Sequence, residues 1–505
     1  MKKIILLIFI LIFLTSISYP QEPSFNISLG INSEWKLERF SPLFIEIYNP
    51  GNRLTLKIEV IYNQGLRYAG YCETIYQENV EIPPLATKKI EFLIPPIDFR
   101  YPLRVRIWHN NKLLREEKIE ISFEKIVLPL ILILGKNIPQ LPISQKARIL
   151  RIYDERLLPL NYKAYDTYDL VLIDKDFWKT LPQNLKNSIT MYKILTGRVY
   201  FMDEIKKISL ELLKIPPVSI TIPHNTILYN PDISLLQGQK FLYPDRFTIV
   251  IALFVYFLFL FVWKRYLLRK RFSFIIFSIF ILLSSVFGFQ IKNYFEKDAL
   301  AISEKSIIYL DPETFVAENY FNLSIFSPFK RNLSFNYSPN IFLLYNAYYQ
   351  PQKGKISLII DRKENNGKIT IERNRVYFLE GLSFHFLPIN IEFRELSDRF
   401  ILNIENDANF DLKDLILKSG NAENYIGSIM RGERKSIVVW KSGLKEPSLL
   451  NEILKNYRFK TPLISQKKIL LWGRIKEPIN HFNFEYIKVD IYRDNILIIP
   501  LEEKE

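Results

Sequence analysis

Three acidic side chains stand directly after apolar runs, where they could bind a ligand or a cation. Residues 169–173 (DLVLI) are followed by Asp174 and then Asp176, and residues 198–202 (RVYFM) are followed by Asp203. Open α/β sheets bind ligands beyond the carboxyl ends of their strands, and hard divalent cations prefer oxygen ligands. The spacing therefore makes these aspartates a candidate ligand or ion site. The interpretation that we favour is that Asp174 or Asp176 caps the following helix by accepting from its backbone N–H groups.

Residues for nucleophilic catalysis are sparse. The chain has one cysteine, Cys72, and residues 124–230 contain one histidine, His224. A nucleophile needs a positioned base beside it, and no G-x-[CS]-x-G sequence accompanies His224. His385 and His481 are isolated, without ligand spacing to each other or to acidic residues. A single cysteine also excludes an internal disulfide and a multi-cysteine metal centre. We therefore predict no enzymatic activity, no catalytic residue, no assigned metal and no cofactor.

Strand–helix alternation predicts a small open α/β sheet over residues 124–230. Residues 126–134 (IVLPLILIL) form a continuous apolar run, which is typical of a buried parallel strand. Residues 169–173 repeat this pattern, and residues 183–195 have helical spacing before a third strand at 198–202. The predicted aspartate site lies at the ends of these strands.

The regions on either side have the period-two alternation of β-strands. Residues 22–123 alternate around turn-forming residues such as Asn110 and Asn111, which predicts an immunoglobulin-like β-sandwich. Residues 300–505 alternate in the same way and predict a C-terminal β-rich region. Within it, Asn365-Asn366-Gly367 predicts a hairpin turn, and residues 444–464 have the apolar face of a helix.

Two segments resemble parts of bacterial envelope proteins. Residues 168–204 (YDLVLIDKDFWKTLPQNLKNSITMYKILTGRVYFMDE) resemble the class I glutamine amidotransferase-like, flavodoxin-like domain, in which such a strand precedes a helix, a glycine (here Gly197) and another strand. Residues 400–440 resemble a segment of uncharacterised bacterial membrane proteins that carry this domain. The resemblance implies an N-terminal β-sandwich, an amidotransferase-like domain, a transmembrane helix pair and a C-terminal β-domain. Because residues 124–230 lack the amidotransferase cysteine, that domain is predicted to be degenerate.

Three apolar stretches suggest export and membrane insertion. Residues 1–18 combine Lys2 and Lys3 with a short apolar run and small residues, as in a signal peptide. The uncharged runs 247–263 and 272–289 predict a transmembrane helix hairpin over residues 246–291. Its loop, residues 264–271, carries the topology-determining cations Lys264, Arg265, Arg269, Lys270 and Arg271, which the positive-inside rule assigns to the cytoplasm. The alternatives are an uncleaved N-terminal anchor and a buried helix hairpin of a soluble protein.

These patterns together predict a multidomain α+β membrane protein: signal peptide 1–18, β-sandwich 22–123, α/β domain 124–230, hairpin 246–291 and β-rich region 300–505. The predicted location is the cytoplasmic (inner) membrane, multi-pass, with both large regions extracytoplasmic. The formal net charge is +15, but no Lys/Arg block beyond the loop suggests nucleic-acid binding. We predict a non-catalytic scaffold or interaction protein of the bacterial cell envelope, whose partners are the lipid bilayer and other envelope proteins. The alternative is a ligand- or ion-binding sensor that uses the α/β domain.

Overall fold

The computed structural model describes most of residues 22–202 and 300–501. The described ranges are 22–36, 39–66, 70–95, 102–119, 129–136, 147–196, 198–202, 300–327, 330–339, 341–345, 356–372, 375–420, 422–444, 469–485 and 491–501, with isolated positions at 257, 261, 264 and 450. The predicted signal segment 1–18, most of the helix predicted at 444–464, Asp203 and His224 lie outside these ranges.

The described N-terminal region consists of β-strands, as its alternation predicts. They are β1 (Ser24–Leu29), β2 (Ser41–Asn49), β3 (Leu54–Leu66), β4 (Gly70–Ile82), β5 (Ala86–Ile94), β6 (Leu103–His109) and β7 (Lys112–Ile119). The predicted turn between β6 and β7 is confirmed, because Asn110 and Asn111 have φ angles of 47° and 62°, a left-handed conformation that asparagine tolerates. Strands β1, β2 and β5 form an antiparallel three-stranded sheet.

A small parallel sheet follows in the chain. It contains β8 (Leu130–Leu134), β9 (Arg148–Ile152), β10 (Leu170–Ile173) and β11 (Val199–Phe201), in the order β11-β10-β8-β9. Before β10 lies the 3-10 turn Tyr162–Thr167, and after it come helices α1 (Lys175–Thr180) and α2 (Gln183–Thr196). Every residue of β8 and β10 is buried, so both faces of these strands are shielded from water. This burial accounts for their continuous apolar runs.

The described C-terminal region is again built from strands. They are β12 (Ala301–Leu310), β13 (Val316–Ser327), β14 (Arg331–Tyr337), β15 (Ile341–Tyr345), β16 (Ile356–Asp361), β17 (Asn366–Ile371), β18 (Arg375–Phe386), β19 (Ile389–Glu395), β20 (Arg399–Asn406), β21 (Leu412–Ser419), β22 (Ala422–Ile429), β23 (Arg434–Trp440), β24 (Ile469–Ile475), β25 (Phe482–Phe484) and β26 (Ile491–Pro500). The fold is therefore β-rich, and its sheets pack face to face as in β-sandwiches.

Strands from both ends of the chain share one eight-stranded sheet, which we call the joint sheet. Its order is β25-β14-β17-β16-β4-β3-β6-β7. The two regions meet where β16 pairs in parallel with β4, with Ile356 opposite Cys72 and Asp361 opposite Gln77. Strands β3, β4, β6 and β7 therefore do not form a sheet of their own, because the edge of β4 is completed by a strand almost 300 residues later in the chain.

A second eight-stranded sheet, which we call the long sheet, has the order β15-β18-β13-β12-β26-β24-β21-β22. One hydrophobic core joins part of it to the joint sheet and to β2, with fully buried residues such as Val60, Leu358 and Leu323. A second core joins its other part to the three-stranded sheet β19-β20-β23, with Leu402 and Leu471 as examples. The long sheet is thus the shared wall of two β-sandwich cores.

The predicted multidomain α+β membrane class is wrong for the structure as described. Strands dominate, the longer of the two described α-helices, α2, has 14 residues, and the sheets mix strands from the regions predicted as separate β-domains. Period-two alternation reports which face of a strand is buried but does not report which strand lies beside it. For this reason the alternation predicts strands and leaves their partners undetermined.

The prediction of a multi-pass inner-membrane protein is also contradicted. Among the residues that the structure describes, no helix is long and apolar enough to cross a membrane. The predicted hairpin 246–291 lies outside the described residues, apart from the isolated positions Phe257, Phe261 and Lys264. Arg265, Arg269, Lys270 and Arg271 also lie outside them.

The hairpin predicted at residues 365–367 exists, but its turn is shifted. Strands β16 and β17 pair antiparallel, with Asp361 opposite Asn366. Asn365 has the positive φ, 51°, whereas Gly367 lies within β17 opposite Phe335 of β14. A Cβ at residue 367 would lie 2.3 Å from that phenyl ring, so the glycine serves close packing between strands.

Candidate functional site

The predicted aspartate site is divided by the structure. Asp174 is the N-cap of α1 and accepts a hydrogen bond from the backbone N–H of Asp176 at 3.2 Å. Its side chain also packs on Gly135, where a Cβ would lie 2.4 Å from the Asp174 Cβ. The Asp176 side chain is 72% exposed and pairs with Lys179 at 2.9 Å. Capping therefore explains Asp174, and the ion site stays a prediction because Asp203 lies outside the described residues.

No other metal centre is indicated in the described ranges. They contain no group of three or more His, Cys, Asp or Glu side chains that could hold a metal ion.

One serine and one histidine lie within hydrogen-bonding distance, as a hydrolase would require. Ser383 Oγ is 2.9 Å from His385 Nε2, and both side chains lie beside Asn480. The Ser383 hydroxyl donates to Asn480 Oδ1 at 2.6 Å, however, and Ser383 is fully buried. Asn480 in turn donates to Glu304 at 2.7 Å. The Ser383 hydroxyl is therefore part of a buried hydrogen-bond network that connects β18 to β12 through Asn480, and it is not accessible to a substrate.

The small parallel sheet is attached to the rest of the molecule by buried ion pairs. Lys163, in the 3-10 turn, pairs with Glu318 of β13 at 3.0 Å, and these side chains are only 3% and 5% exposed. On the other side of the turn, Lys36 pairs with Asp169, and Arg39 lies 3.6 Å from the same carboxylate. Buried ion pairs demand good geometry, because each lost partner leaves a charge in a low-dielectric interior. They therefore hold the 3-10 turn in one position.

The loop before the turn is positioned by Glu91 of β5. This carboxylate accepts from the backbone N–H groups of Leu160 at 2.7 Å and Asn161 at 3.2 Å. Burial raises the pKa of Glu91, while the two N–H groups act in the opposite direction. The Ser188 hydroxyl of α2 donates to the Leu160 carbonyl. The loop at Leu160 and Asn161, the 3-10 turn and α2 thus form one continuous wall.

A cavity of about 440 Å³ lies between this wall and the strands of the two large sheets. We call it the junction cavity. Leu160, Tyr162, Ser188 and Met191 line it from the side of the small sheet. The joint and long sheets and the loops at their strand ends supply the other walls, including Tyr76, Tyr337, Phe342, Arg362 and Phe384. The site is therefore assembled from segments far apart in the chain.

Aromatic rings form much of the cavity surface. Tyr76 stacks on Phe342 with ring centroids 5.6 Å apart, and Phe384 meets Tyr162 edge to face at 4.7 Å. The Tyr76 hydroxyl donates to the Leu343 carbonyl at 3.0 Å. Tyr76 therefore contributes its ring, and not a free hydroxyl, to the cavity surface. Burial raises the pKa values of Tyr76 and Tyr162 well above the usual 10, and both phenols stay neutral at physiological pH.

Two cations line the cavity. Lys163 is neutralised by Glu318, as described above. Arg362 donates through Nη1 to the Glu91 carbonyl at 2.7 Å, and its guanidinium carbon lies 4.4 Å from the centre of the Phe92 ring. Its nearest carboxylate, Glu78, is 3.7 Å away. Among the described residues that line the cavity, none carries a carboxylate. The cavity thus combines apolar rings with positive charge.

Sequence reasoning did not find these residues. Tyr162 precedes the predicted aspartate site by twelve positions. Arg362 lies just before Asn365 and Asn366, which the sequence pattern identifies only as turn-forming residues. No local motif connects Tyr76, Phe342 and Arg362, because their proximity follows from strand pairing over hundreds of residues. The one available signal was the high aromatic content, 14% of the chain.

Comparisons with known proteins identify one similar domain family but no function. Residues 22–122 match a family described as a domain of unknown function (DUF8726), which is about a fifth of the chain. No curated protein matches. A solved structure of the yeast delta-COP-I mu-homology domain, complexed with a Dsl1 WxWxV peptide, is similar over 40% of this chain and 96% of its own, at 8% identity and a TM-score of 0.23. A TM-score this low does not establish a shared fold.

Proposed function

We propose that this chain is a binding protein that holds a small organic ligand in the junction cavity and performs no chemistry on it. The observation that supports the proposal is the cavity itself, with its volume of about 440 Å³ and its aromatic lining. Small-molecule sites are typically concave, mostly apolar and situated between structural units, with a few polar groups for orientation. The junction cavity has each of these properties.

Binding is favoured over catalysis by the chemistry of the lining. In the described part of the cavity wall, Ser188 is the one hydroxyl besides the tyrosines, and it is occupied by the Leu160 carbonyl. Histidine, cysteine and carboxylate side chains are absent from the same described lining. General acid–base or nucleophilic catalysis would need such groups within reach of the ligand.

The proposal is tested by blocking the cavity from the side of α2. The full chain is screened against a library of ring-containing neutral and charged compounds by thermal shift, and hits are confirmed by isothermal titration. A ligand at 100 times its Kd should stabilise the folded state by about 2.7 kcal/mol. Met191→Trp should abolish the binding of these hits, because the indole would occupy the cavity.

Met430→Trp is the matched control, because Met430 is 55% exposed and does not line the cavity. It should leave binding unchanged. Saturable binding that survives Met191→Trp would refute the proposed site, and a library without any binder would refute the proposed function. The scaffold role in the cell envelope, the envelope partners and the absence of nucleic-acid binding stay predictions.

A further inference from the structure

We infer that the junction cavity selects ligands that carry one anionic group beside an apolar ring, with Arg362 as the residue that recognises the anion. The inference rests on the proposed function, because it names the class of ligand for the same cavity. Its starting point is the charge of the described lining: two cations and no carboxylate.

The two cations are not equivalent. Lys163 is satisfied, because its ammonium group forms a buried pair with Glu318 at 3.0 Å and faces the Phe40 ring at 5.5 Å. An anionic ligand that approached Lys163 would compete with this pair and would be repelled by the Glu318 carboxylate. Lys163 therefore contributes structure and little net charge to the cavity.

Arg362 has spare capacity for a ligand. A guanidinium has five N–H donors, and the Arg362 hydrogen bond in the described structure uses Nη1 to reach the Glu91 carbonyl. The Glu78 carboxylate forms an ion pair with Nη1 at 3.7 Å, which is beyond hydrogen-bonding distance, so it offsets part of the Arg362 charge without taking up an N–H donor. The Glu91 carboxylate is turned toward the backbone N–H groups of Leu160 and Asn161. The remaining guanidinium donors can form the paired hydrogen bonds that bind carboxylate and phosphate groups.

The position of this guanidinium is fixed before a ligand arrives. Its carbon lies 4.4 Å from the centre of the Phe92 ring, and its Nη1 is held by a backbone carbonyl. Pre-ordering reduces the entropy that a ligand must overcome on binding. A flexible surface arginine would lack this advantage.

The rest of the lining suits a flat apolar body. The stacked pair Tyr76 and Phe342 and the edge-to-face pair Tyr162 and Phe384 present ring faces and edges. The hydroxyl of Tyr337 lies 3.5 Å from the Asp361 carbonyl, so this phenol also contributes mainly its ring. Aromatic side chains pack favourably on other rings in offset or edge-on arrangements. An aromatic or alicyclic carboxylate therefore matches the cavity better than a cationic or fully polar compound.

The experiment compares 2-naphthoate with 2-naphthamide, which has the same shape without the charge. Isothermal titration of the full chain should show that naphthoate binds at least about ten-fold more tightly than naphthamide, since a charge-assisted pair is stronger than a neutral hydrogen bond. Arg362→Gln should bring the two affinities within about two-fold of each other, whereas Arg362→Lys should keep part of the preference. Circular dichroism verifies that both variants fold.

Arg399→Gln is the matched control, because the Arg399 guanidinium also lies over an aromatic ring, that of Trp440 at 5.1 Å, but outside the cavity. It should keep the preference for naphthoate. Equal binding of both probes, blocked by Met191→Trp, would overturn the inference and leave the proposed function standing. If neither probe binds, the inference is overturned, and the proposed function falls with it only if the library also yields no binder.

Discussion

At the scale of single residues, the buried ion pair between Lys163 and Glu318 is a contact that should be sensitive to change. We expect Glu318→Gln to destabilise the protein by about 3–5 kcal/mol, because it leaves the Lys163 charge buried without a partner. The double variant Lys163→Met/Glu318→Gln should recover much of this loss. Urea unfolding followed by tryptophan fluorescence measures both.

The exposed pair Lys179 and Asp176 provides the control for that experiment. These side chains are 74% and 72% exposed, and Asp176→Asn should change stability by no more than about 0.5 kcal/mol. A similar small effect of Glu318→Gln would contradict the view that the buried pair fixes the small sheet on the long sheet.

His385 predicts a pH dependence of stability. Burial lowers its pKa from the usual 6.5, with His481 acting in the same direction and Asn480 against both. Below pH 6.5 the unfolded chain takes up a proton at His385 before the folded chain does, so stability is lost as the pH falls toward the lowered pKa. His385→Asn should reduce the loss measured between pH 7 and pH 5. An unchanged slope in the variant would show that His385 is not buried as described.

At the scale of elements, glycine and phenylalanine face each other across neighbouring strands in both large sheets. Gly381 of β18 lies opposite Phe321 of β13, and a Cβ at residue 381 would lie 2.1 Å from that ring. Gly367 and Phe335 repeat the arrangement in the joint sheet. The ring covers the backbone of the glycine, which secures the pairing of the two strands.

Gly381→Ala should therefore destabilise the protein by about 1–3 kcal/mol through overpacking. Gly443→Ala is the control, because its Cβ would meet only the end of the Asn424 side chain, at 3.2 Å, and it should cost no more than about 0.5 kcal/mol. The combination Phe321→Leu/Gly381→Ala should be less than additive. Thermal unfolding by calorimetry gives all three values, and additivity would contradict the proposed contact.

At the scale of the whole molecule, the joint sheet makes the two ends of the chain depend on each other. The core beneath it takes buried residues from both, such as Val60 and Leu358, and the parallel pair β4–β16 connects them. We expect a fragment of residues 22–202 to lack cooperative unfolding, because the edge of β4 and part of this core would be exposed to water. Circular dichroism during heating, with and without a co-expressed fragment 300–505, is the measurement. Cooperative unfolding of 22–202 alone at the midpoint of the full chain would contradict this dependence.

Local structure was largely readable from the sequence. The alternation of residues 103–107 within the range 22–123, the continuous apolar run ending at Leu134 and the turn at Asn110 and Asn111 each correspond to the element that the structure has there. Asp174 likewise caps α1, one of its two predicted roles. Such features depend on interactions between residues a few positions apart, so they follow directly from the order of the amino acids.

Only the tertiary structure decided which of these strands pair and which elements pack together. The sequence of residues 356–361 predicts a strand, but nothing in it specifies β4 as the neighbouring strand. The same holds for Arg362, Tyr76 and Tyr162, which border one cavity only because β16 lies beside β4 and the 3-10 turn is docked on β13. A strand can satisfy its backbone hydrogen bonds with many partners, and the choice among them depends on the packing of the complete core. The sequence by itself therefore determined many of the strand segments, though not β9, and the tertiary structure decided that strands from both ends of the chain enclose a cationic, aromatic cavity.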